Sequence, residues 1–241
     1  MRTISLEFIT KLVIPALVSS IFMISFFSSY FSLNREMSQP TYKLYYFDIR
    51  GLGEQIRILL AYGGIEYEDI RITQEEWPAI KPTMPFGQIP VLEVDGTRVY
   101  QSTSITRYLA KHVGLAGADD WESLLIDIAV DNLNEFDSKL VAAHYEKDDA
   151  IKAIKLAAVK DEILPFYLDK FESFAKENNG HLALGKLTWA DIFFVAHLDF
   201  FNMVAGFNVI ADRPNLQNVV SNVSNVESIK AWFEKRPDSL Y

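Results

Sequence analysis

The periodicity of apolar residues changes once along this 241-residue chain, close to residue 114. Before that point, short runs of β-branched and aromatic residues alternate with helical stripes. Beyond it, strand signals cease and apolar residues recur at three- and four-residue spacing. This order predicts an α/β N-terminal domain with a small sheet, followed by an all-α C-terminal domain.

The first part contains the elements of a small sheet with helices. In the order β-α-β, irregular segment, β-β-α, the strands and helices are predicted at 42–47, 54–62, 67–72, 91–94, 97–100 and 102–112. The short crossover between the first two strands indicates parallel pairing. Asp95-Gly96 joins the last two strands and is the strongest hairpin signal in the chain.

The second part is predicted to be helical throughout. Its apolar stripes cover 124–145, 149–177, 188–207 and 226–234. Thr188 and Asp191 are predicted to form a capping box, in which the carboxylate reaches back to the N-cap amide. A linker of small residues at 114–120 separates the two parts, so we place the domains at 39–117 and 119–241.

Residues 1–37 form an apolar extension ahead of these domains. No charged residue occurs from Leu12 to Leu33, which is long enough to span a bilayer, although Pro15 weakens that interpretation. A signal peptide is an alternative, and a dispensable extension is a third, since Met37 directly precedes the predicted domain. The folded part is therefore expected in the cytoplasm, and at a membrane or in a secretory compartment only if residues 1–36 act as anchor or signal.

Composition excludes several kinds of function. The net charge of −9 disfavours nucleic acid as a partner, because binding phosphates requires a basic face. The chain has no cysteine, so it has neither disulfides nor a protein thiol. Any thiol chemistry must therefore use a thiol of the ligand. The four histidines lack metal-ligand spacing, and we expect structural or surface roles for them and no metal.

Three places before residue 114 could contact a small peptide-like ligand. Ile89-Pro90 precedes a strand, where a cis bond would free the Ile89 amide and carbonyl for a ligand, although an ordinary turn proline is the more frequent case. Gln101-Ser102 opens a helix, where free amides and the helix dipole favour a carboxylate, while Ser102 could simply be the N-cap. Trp77 and Lys81 are spaced to present an indole N–H and an ammonium on one side.

Several motifs resemble the sigma class of glutathione transferases, especially its insect members. They occur in order and at compatible spacing: YKLYYFDIRG at 42–51, EWPAIKPTMPFGQIPVLEVDG at 76–96, QS at 101–102, GHLALGKLTWAD at 180–191 and IKAWFEKRP at 229–237. The resemblance covers about residues 41–238. It implies a thioredoxin-like domain that binds glutathione as co-substrate and a helical domain that supplies most of the site for an apolar electrophile.

The resemblance also implies roles for individual residues. Tyr46 would activate the glutathione thiol, and Phe47 would lie between the glutathione and electrophile sites. The other glutathione contacts implied are Trp77, Lys81, Gly87, Gln88, Ile89, cis-Pro90, Gln101 and Ser102. The family is homodimeric, and an acidic residue of the partner subunit reaches the γ-glutamyl amine; Glu135 or its neighbour Asp131 is the candidate.

The chemistry of a phenol is consistent with the role implied for Tyr46. A phenol with a pKa near 10 is a poor base at neutral pH, but it can donate a hydrogen bond that stabilises a thiolate. Tyr45 is an equally plausible donor from the residues alone. Because adjacent side chains of a strand point to opposite faces, only one of the two can face the sulfur.

Three functions remain open at this point. The first is conjugation of glutathione to small apolar electrophiles, including lipid-peroxidation aldehydes, with peroxidase activity. The second is a glutathione-dependent prostaglandin-type isomerase. Two features weigh against it: Leu52 occupies the position where those enzymes carry arginine, and no tryptophan occurs near 140–145. The third is a non-catalytic, crystallin-like protein. The electrophile pocket is expected to draw on side chains around 141–145 and 200–207.

Overall fold

A computed structural model describes residues 40–239. The predicted anchor or signal at 12–33, with the rest of the 1–37 extension, lies outside the described residues. From Thr41 onward the chain forms one compact unit. The predicted boundary near residue 118 thus falls inside that unit and stays a prediction. Within the described part, no helix has the length and apolar character needed to cross a membrane.

The sheet has four strands in the order β2-β1-β3-β4. They are β1 (Tyr42–Phe47), β2 (Glu68–Ile72), β3 (Val91–Val94) and β4 (Thr97–Tyr100). β1 pairs with β2 in parallel, as the short crossover predicted, and with β3 antiparallel. β3 and β4 form the predicted hairpin, in which Asp95 and Gly96 both have positive φ, as a tight two-residue turn requires.

Helices of the first part depart from the predictions in two places. Helix α1 (Gly51–Tyr62) begins three residues earlier than predicted, with Arg50 as its N-cap. The segment predicted as irregular contains a one-turn helix, α2 (Trp77–Ile80), and two 3-10 turns at Lys81–Thr83 and Pro85–Gly87. Helix α3 (Ser102–His112) agrees with its prediction.

The second part is all-helical, as predicted. Its helices are α4 (Asp120–His144), α5 (Asp149–Ala158), α6 (Leu164–Glu177), α7 (Trp189–Ala205), α8 (Pro214–Ser224) and α9 (Glu227–Lys235). The single stripe predicted at 149–177 is divided by a π-helical turn at Val159–Ile163. Pro165 explains the division, because a proline cannot donate to the preceding turn and clashes with it.

Helix α8 was missed by the sequence analysis. It carries the signals of a helix, with proline at the first position and a buried stripe of Leu216, Val219 and Val223. α7 is the most buried of these helices and packs against both α1 and α4. Because α1, α4 and α7 pack together, these helices and strand β1 surround a common cavity.

The predicted capping box at the start of α7 is confirmed. The Asp191 carboxylate is fully buried and accepts hydrogen bonds from the backbone N–H of Thr188 at 2.8 Å and of Leu182 at 2.7 Å. One carboxylate thus accepts a hydrogen bond at the N-terminus of α7 and another from the preceding loop, which holds the loop against the helix.

Asp191→Asn is expected to lower the free energy of unfolding by about 2 kcal/mol. The amide nitrogen would replace one accepting oxygen and leave a buried backbone N–H without a partner. Urea denaturation measures the loss. Asp148→Asn is the matched control, because Asp148 caps α5 at an exposed position where asparagine caps equally well. Equal stabilities of the two variants would contradict the role given to Asp191.

Candidate active site

Strand β1 separates the two tyrosines that the sequence alone could not distinguish. Tyr46 is buried and lines the main cavity. Tyr45 lies on the other face, where its hydroxyl donates to Glu93 Oε2 at 3.2 Å and the Arg98 guanidinium lies 4.9 Å above its ring. The strand alternation thus leaves Tyr46 as the tyrosine of this pair that faces the cavity.

The Tyr46 hydroxyl is held at the start of helix α1. Its oxygen accepts a hydrogen bond from the Leu52 backbone N–H at 3.0 Å. That N–H belongs to the first turn of α1, where backbone donors have no partner within the helix. The hydroxyl proton is therefore available to donate to another group.

Burial keeps this phenol protonated. Loss of solvation raises the pKa of Tyr46 to about 12, against the opposing effects of the Leu52 hydrogen bond and of Arg57. The Arg57 guanidinium lies 5.8 Å from the centre of the ring. At neutral pH Tyr46 is therefore a hydrogen-bond donor and not a base, as its chemistry predicted.

The cavity in front of Tyr46 has a volume of about 470 Å³. It is lined from the first part by Tyr46, Ile49, Gly51, Leu52 and Ser102, and from the helices by Asn134, Asp137, Ser138, Val141, Ala142, Tyr145, Ala196, His197 and Phe200. Of the side chains expected in the electrophile pocket, Val141, Ala142, Tyr145 and Phe200 line this cavity. Phe207 is not among the lining residues.

Ser102 and Gln101 occupy the N-terminus of α3, at one side of this cavity. The N-cap is Gln101, without a side-chain capping bond, so the alternative that Ser102 is the N-cap is wrong. Ser102 is the first helical residue and lines the cavity. Gln101 has a φ of 74°, in the region that favours glycine. Strain of this kind concentrates at functional sites, and the sequence carried no signal of it.

The other predicted ligand contacts lie in the segment between β2 and β3. Trp77 packs edge-on against Phe47, with 5.4 Å between ring centres. The exposed Lys81 side chain runs past Gly87, where a Cβ would lie 3.4 Å from its Cε. Trp77 and Phe47 are thus in contact, as are Lys81 and Gly87, but none of the four lines the main cavity.

The Ile89–Pro90 bond is cis, as the resemblance implied and against the more frequent case favoured from spacing. Gln88 is exposed, Ile89 is half-buried and Pro90 is buried directly before β3.

Glu135 lies on α4 but does not line the cavity of its own subunit. Its carboxylate accepts a hydrogen bond from the Tyr167 hydroxyl at 2.6 Å and pairs with Lys139 at 3.3 Å. The Tyr167 hydrogen bond, with help from Lys139, lowers the pKa of the Glu135 carboxyl. Asp131 is exposed one turn earlier on the same helix. Both carboxylates are on the surface, where a second subunit could meet them.

Three residues of the site were missed or misjudged from the sequence. Arg57 is fully buried beneath the loop that precedes α1 and donates to the Ile49 carbonyl at 2.8 Å. Asp137 and His197 line the cavity although both are buried. From sequence alone, a polar residue on an apolar helix is expected to face solvent. The burial of Asp137 and His197 becomes apparent only from the packing of α4 against α7. Between residues 40 and 239, no cluster of three or more acidic or histidine side chains could hold a metal ion.

Comparison with known proteins identifies the family. Residues 42–111 match the N-terminal domain of glutathione S-transferases, and residues 134–236 match the C-terminal domain. The chain belongs to the glutathione S-transferase family, with the thioredoxin-like and helical parts that the resemblance implied.

Individual relatives agree with this assignment. A glutathione S-transferase of Anopheles gambiae is 54% identical over 198 residues, which is 82% of this chain and 98% of the relative. Glutathione S-transferase S1 of Drosophila melanogaster is 53% identical over 202 residues, covering 84% and 81% of the two chains. The structure of a prostaglandin synthase D of Nilaparvata lugens matches with a TM-score of 0.79 at 46% identity, over 82% of this chain and 99% of that one.

Proposed function

We propose that this protein is a sigma-class enzyme that conjugates the glutathione thiolate to small apolar electrophiles, in a detoxifying role. The observation that carries the proposal is the Tyr46 hydroxyl, which faces the cavity with its oxygen held by Leu52 N–H and its proton free to donate. In a chain without cysteine, the sulfur that receives this proton's hydrogen bond belongs to the ligand.

The energy required from Tyr46 is modest. A free thiol titrates near pH 8.5, so only a few per cent is thiolate at neutral pH. Lowering its pKa by two units needs ~2.7 kcal/mol, which a charge-assisted hydrogen bond and a nearby helix N-terminus can supply together. The N-termini of both α1 and α3 border the cavity, through Leu52 and Ser102.

We propose that glutathione lies along the edge of the sheet beside this cavity. Tyr46 meets the sulfur, Phe47 separates the two substrates, and Trp77 and Lys81, with Gly87 near the Lys81 stem, hold the glycyl end. Gln88 and Ile89, at cis-Pro90, pair with the cysteinyl backbone. Gln101 and Ser102 hold the γ-glutamyl group, for which the α3 N-terminus supplies backbone donors and a positive dipole end.

The electrophile would occupy the part of the cavity formed by α4 and α7. Val141, Ala142, Ala196 and Phe200 give that part an apolar surface. Such a surface suits lipid-peroxidation aldehydes and the organic hydroperoxides of a peroxidase activity, because it removes their apolar area from water and holds them near the thiolate.

A glutathione-dependent prostaglandin-type isomerase is the second candidate. The similarity to a prostaglandin synthase D favours it. Leu52, which lines the cavity and stands where those enzymes carry arginine, weighs against it, as does the absence of tryptophan from residues 140–145. The same glutathione site would serve both activities.

We infer that the enzyme is a homodimer in which Glu135 or Asp131 of the partner reaches the γ-glutamyl amine. An apolar surface on the first part supports a second copy: Phe86 is 79% exposed and stacks on Tyr100, next to the exposed Val99 and Tyr108. Exposed apolar side chains grouped in this way are typical of protein interfaces. Light scattering that returned the mass of a single chain would contradict the dimer.

We also propose that the folded part acts in the cytoplasm and that residues 1–37 are dispensable for the site. The Anopheles gambiae relative supports this, because 198 matched residues account for 98% of its length. Mass analysis of the natural N-terminus shows whether the extension is retained, and loss of activity in a chain that begins at Met37 would contradict the second proposal.

Titration of bound glutathione tests the proposed function directly. Thiolate absorbs in the ultraviolet, so a difference spectrum of the complex against pH gives the pKa of the bound thiol. We expect the pKa of the bound thiol to lie about two units below that of free glutathione, since an ordinary thiol titrates near 8.5. S-methylglutathione, which binds without a titratable thiol, is the control. Glutathione that fails to bind, or binds with an unshifted pKa, would contradict thiol activation.

A further inference from the structure

Two buried polar side chains lie in the same cavity as the Tyr46 hydroxyl, one on α4 and one on α7. Asp137 is 8% exposed and His197 is 3% exposed, and both line that cavity. Within residues 40–239, Asp137 Oδ1 and His197 Nε2 have no hydrogen-bond partner. Buried polar groups are usually paired, so two unpaired atoms in the cavity where a thiol is proposed to ionise require an explanation.

His197 is held so that an accepting nitrogen remains unpaired. Its Nδ1 lies 2.9 Å from the Phe193 carbonyl oxygen, which can only accept a hydrogen bond, so Nδ1 carries the proton. In the neutral ring, Nε2 is therefore an acceptor. Stacking on the Phe193 ring, with 4.2 Å between ring centres, fixes the orientation. His197 can thus bind one more proton at Nε2 and keep its hydrogen bond to Phe193.

The surroundings of Asp137 stabilise its negative charge poorly. Within the described part of the chain, the residues that line the cavity include no lysine or arginine, and the titratable ones besides Asp137 are Tyr46 of β1, Tyr145 at the end of α4 and His197 of α7. Burial raises the pKa of the Asp137 carboxyl, and His197 opposes that effect. Asp137 also contributes to the raised pKa of Tyr46, of which burial is the main cause. The carboxylate therefore acts electrostatically on the hydroxyl that is proposed to hold the sulfur.

The arginines of α1 and of its N-cap have carboxylate partners of their own. Arg57 pairs with Asp69 and Glu54, and Arg50 pairs with Asp199 of α7. A glutathione thiolate would therefore place a second negative charge in a cavity that already holds an ionised carboxylate. When two acids share a poorly solvated space, ionisation of one raises the pKa of the other, and the pair retains one proton.

We propose that Asp137 and His197 together take up the proton of the glutathione thiol, so that the thiolate forms without releasing this proton to solvent. The S–H bond breaks with its electron pair left on sulfur, and the proton passes to the pair, where the carboxylate and Nε2 share it. The cavity keeps the same net charge, which moves to the sulfur that accepts from Tyr46. This inference rests on the proposed activation of the thiol by Tyr46 and adds the destination of the proton.

Counting protons against thiolate tests the inference. Calorimetric titration with glutathione, in buffers that differ in ionisation enthalpy, gives the number of protons released per molecule bound. The ultraviolet difference spectrum of the same complex gives the fraction present as thiolate. Near pH 7, where a free thiol is mostly protonated, we expect wild type to release less than about half a proton per thiolate formed. Asp137→Asn removes the ionisable carboxyl at nearly constant volume and should release about one proton per thiolate.

Ser138→Ala is the matched control, because it removes a polar group from the same cavity and from the next position of α4 without changing the charge. It should keep the proton count of wild type. S-methylglutathione has no thiol proton, so its titration gives the proton exchange that accompanies binding alone, and this value is subtracted for each enzyme.

The outcomes separate this inference from the proposed function. Wild type that releases about one proton per thiolate overturns the inference, and this measurement needs no variant to fold. A deficit of released protons that persists in Asp137→Asn also overturns it, because another group then takes up the proton. Wild type that binds glutathione without forming thiolate would instead contradict the proposed function.

Discussion

Tyr46→Phe is expected to lower kcat/KM for conjugation of chlorodinitrobenzene by about 10²–10³-fold, with glutathione affinity nearly unchanged. The substitution removes the hydroxyl whose O–H is proposed to donate to the thiolate, and loss of one such donor in an enzyme site has an effect of this size. Phenylalanine fills the same buried space and leaves the Leu52 N–H at the start of α1 without its Tyr46 partner, beside the cavity. Steady-state kinetics and calorimetric titration with glutathione measure the two quantities.

Tyr45→Phe is the matched control for this prediction. It removes a hydroxyl from the neighbouring residue of the same strand, whose partners are Glu93 and Arg98 on the opposite face of the sheet. Its kcat/KM should stay within about threefold of wild type, because nothing it touches borders the cavity. Equal activity of wild type and Tyr46→Phe would end the assignment of Tyr46 as thiol-activating residue.

The burial of Tyr46 also predicts how the pH dependence of Tyr46→Phe differs from that of wild type. The folded pKa of about 12 lies above the ordinary value near 10, so the phenol stays neutral across the working range. The stability linked to this group is complete below about pH 10 and is lost as pH rises through 12. A limb of the pH–rate profile near neutrality therefore reports the glutathione thiol, and in Tyr46→Phe it should move upward by one to two pH units, about 1.4 kcal/mol each.

Arg57→Met is expected to lower the free energy of unfolding by about 3–5 kcal/mol and to reduce activity as well. Arg57 is fully buried, pairs with Asp69 at 3.1 Å and Glu54 at 3.6 Å, and donates to the Ile49 carbonyl. Removing one member of a buried ion pair is strongly destabilising, here because the buried Glu54 loses one of its two cationic partners and the Ile49 carbonyl loses its donor. Urea denaturation measures the stability, and kinetics at a temperature where the variant is folded measure the activity.

The loss of activity would come through the position of Tyr46. Ile49 belongs to the loop between β1 and α1, and this loop sets where the Leu52 N–H meets the Tyr46 hydroxyl. Glu54 also accepts hydrogen bonds from Trp232 at 2.9 Å and Arg236 at 2.8 Å, so the same buried charges join α1 to the C-terminal helix α9. Disturbing them affects both the site and the packing of the two parts.

Arg71→Met provides the control for Arg57. Arg71 pairs with the same Asp69, at 2.9 Å, but its side chain is 18% exposed and its second partner, Asp48, is largely in solvent. Ion pairs of this kind contribute about 1 kcal/mol or less. If the two arginine variants lost equal stability, burial would not be the reason for the effect of Arg57.

Local patterns were sufficient for much of the architecture. The hairpin at Asp95-Gly96, the parallel β-α-β unit and the capping box at Thr188 and Asp191 depend on residues close together in sequence, and all three are confirmed. The helical character of the second part is equally local, since it is carried by apolar spacing. The π-helical turn before Pro165 shows the limit, because a stripe can continue in register while the backbone that carries it is interrupted.

The candidate site likewise depends partly on local sequence and partly on tertiary structure. Strand alternation predicted from the sequence that one of Tyr45 and Tyr46 faces a ligand, and the family resemblance favoured Tyr46. The physical reason became visible only in the fold, where α1 directs the Leu52 N–H at one hydroxyl and Glu93 binds the other. The strained backbone of Gln101 likewise depends on how β4 meets α3, which no local pattern encodes.

The sequence by itself determined the order of elements and the absence of a protein thiol, and its family resemblance supplied the residues proposed to bind glutathione. Tertiary structure alone decided which polar side chains line the cavity in front of Tyr46. Asp137 and His197 are sixty residues apart on separate helices, and each reads as an ordinary helical position. Their burial in one cavity results from the packing of α4 against α7, and the environment of a charged group depends on such packing more than on its neighbours in sequence.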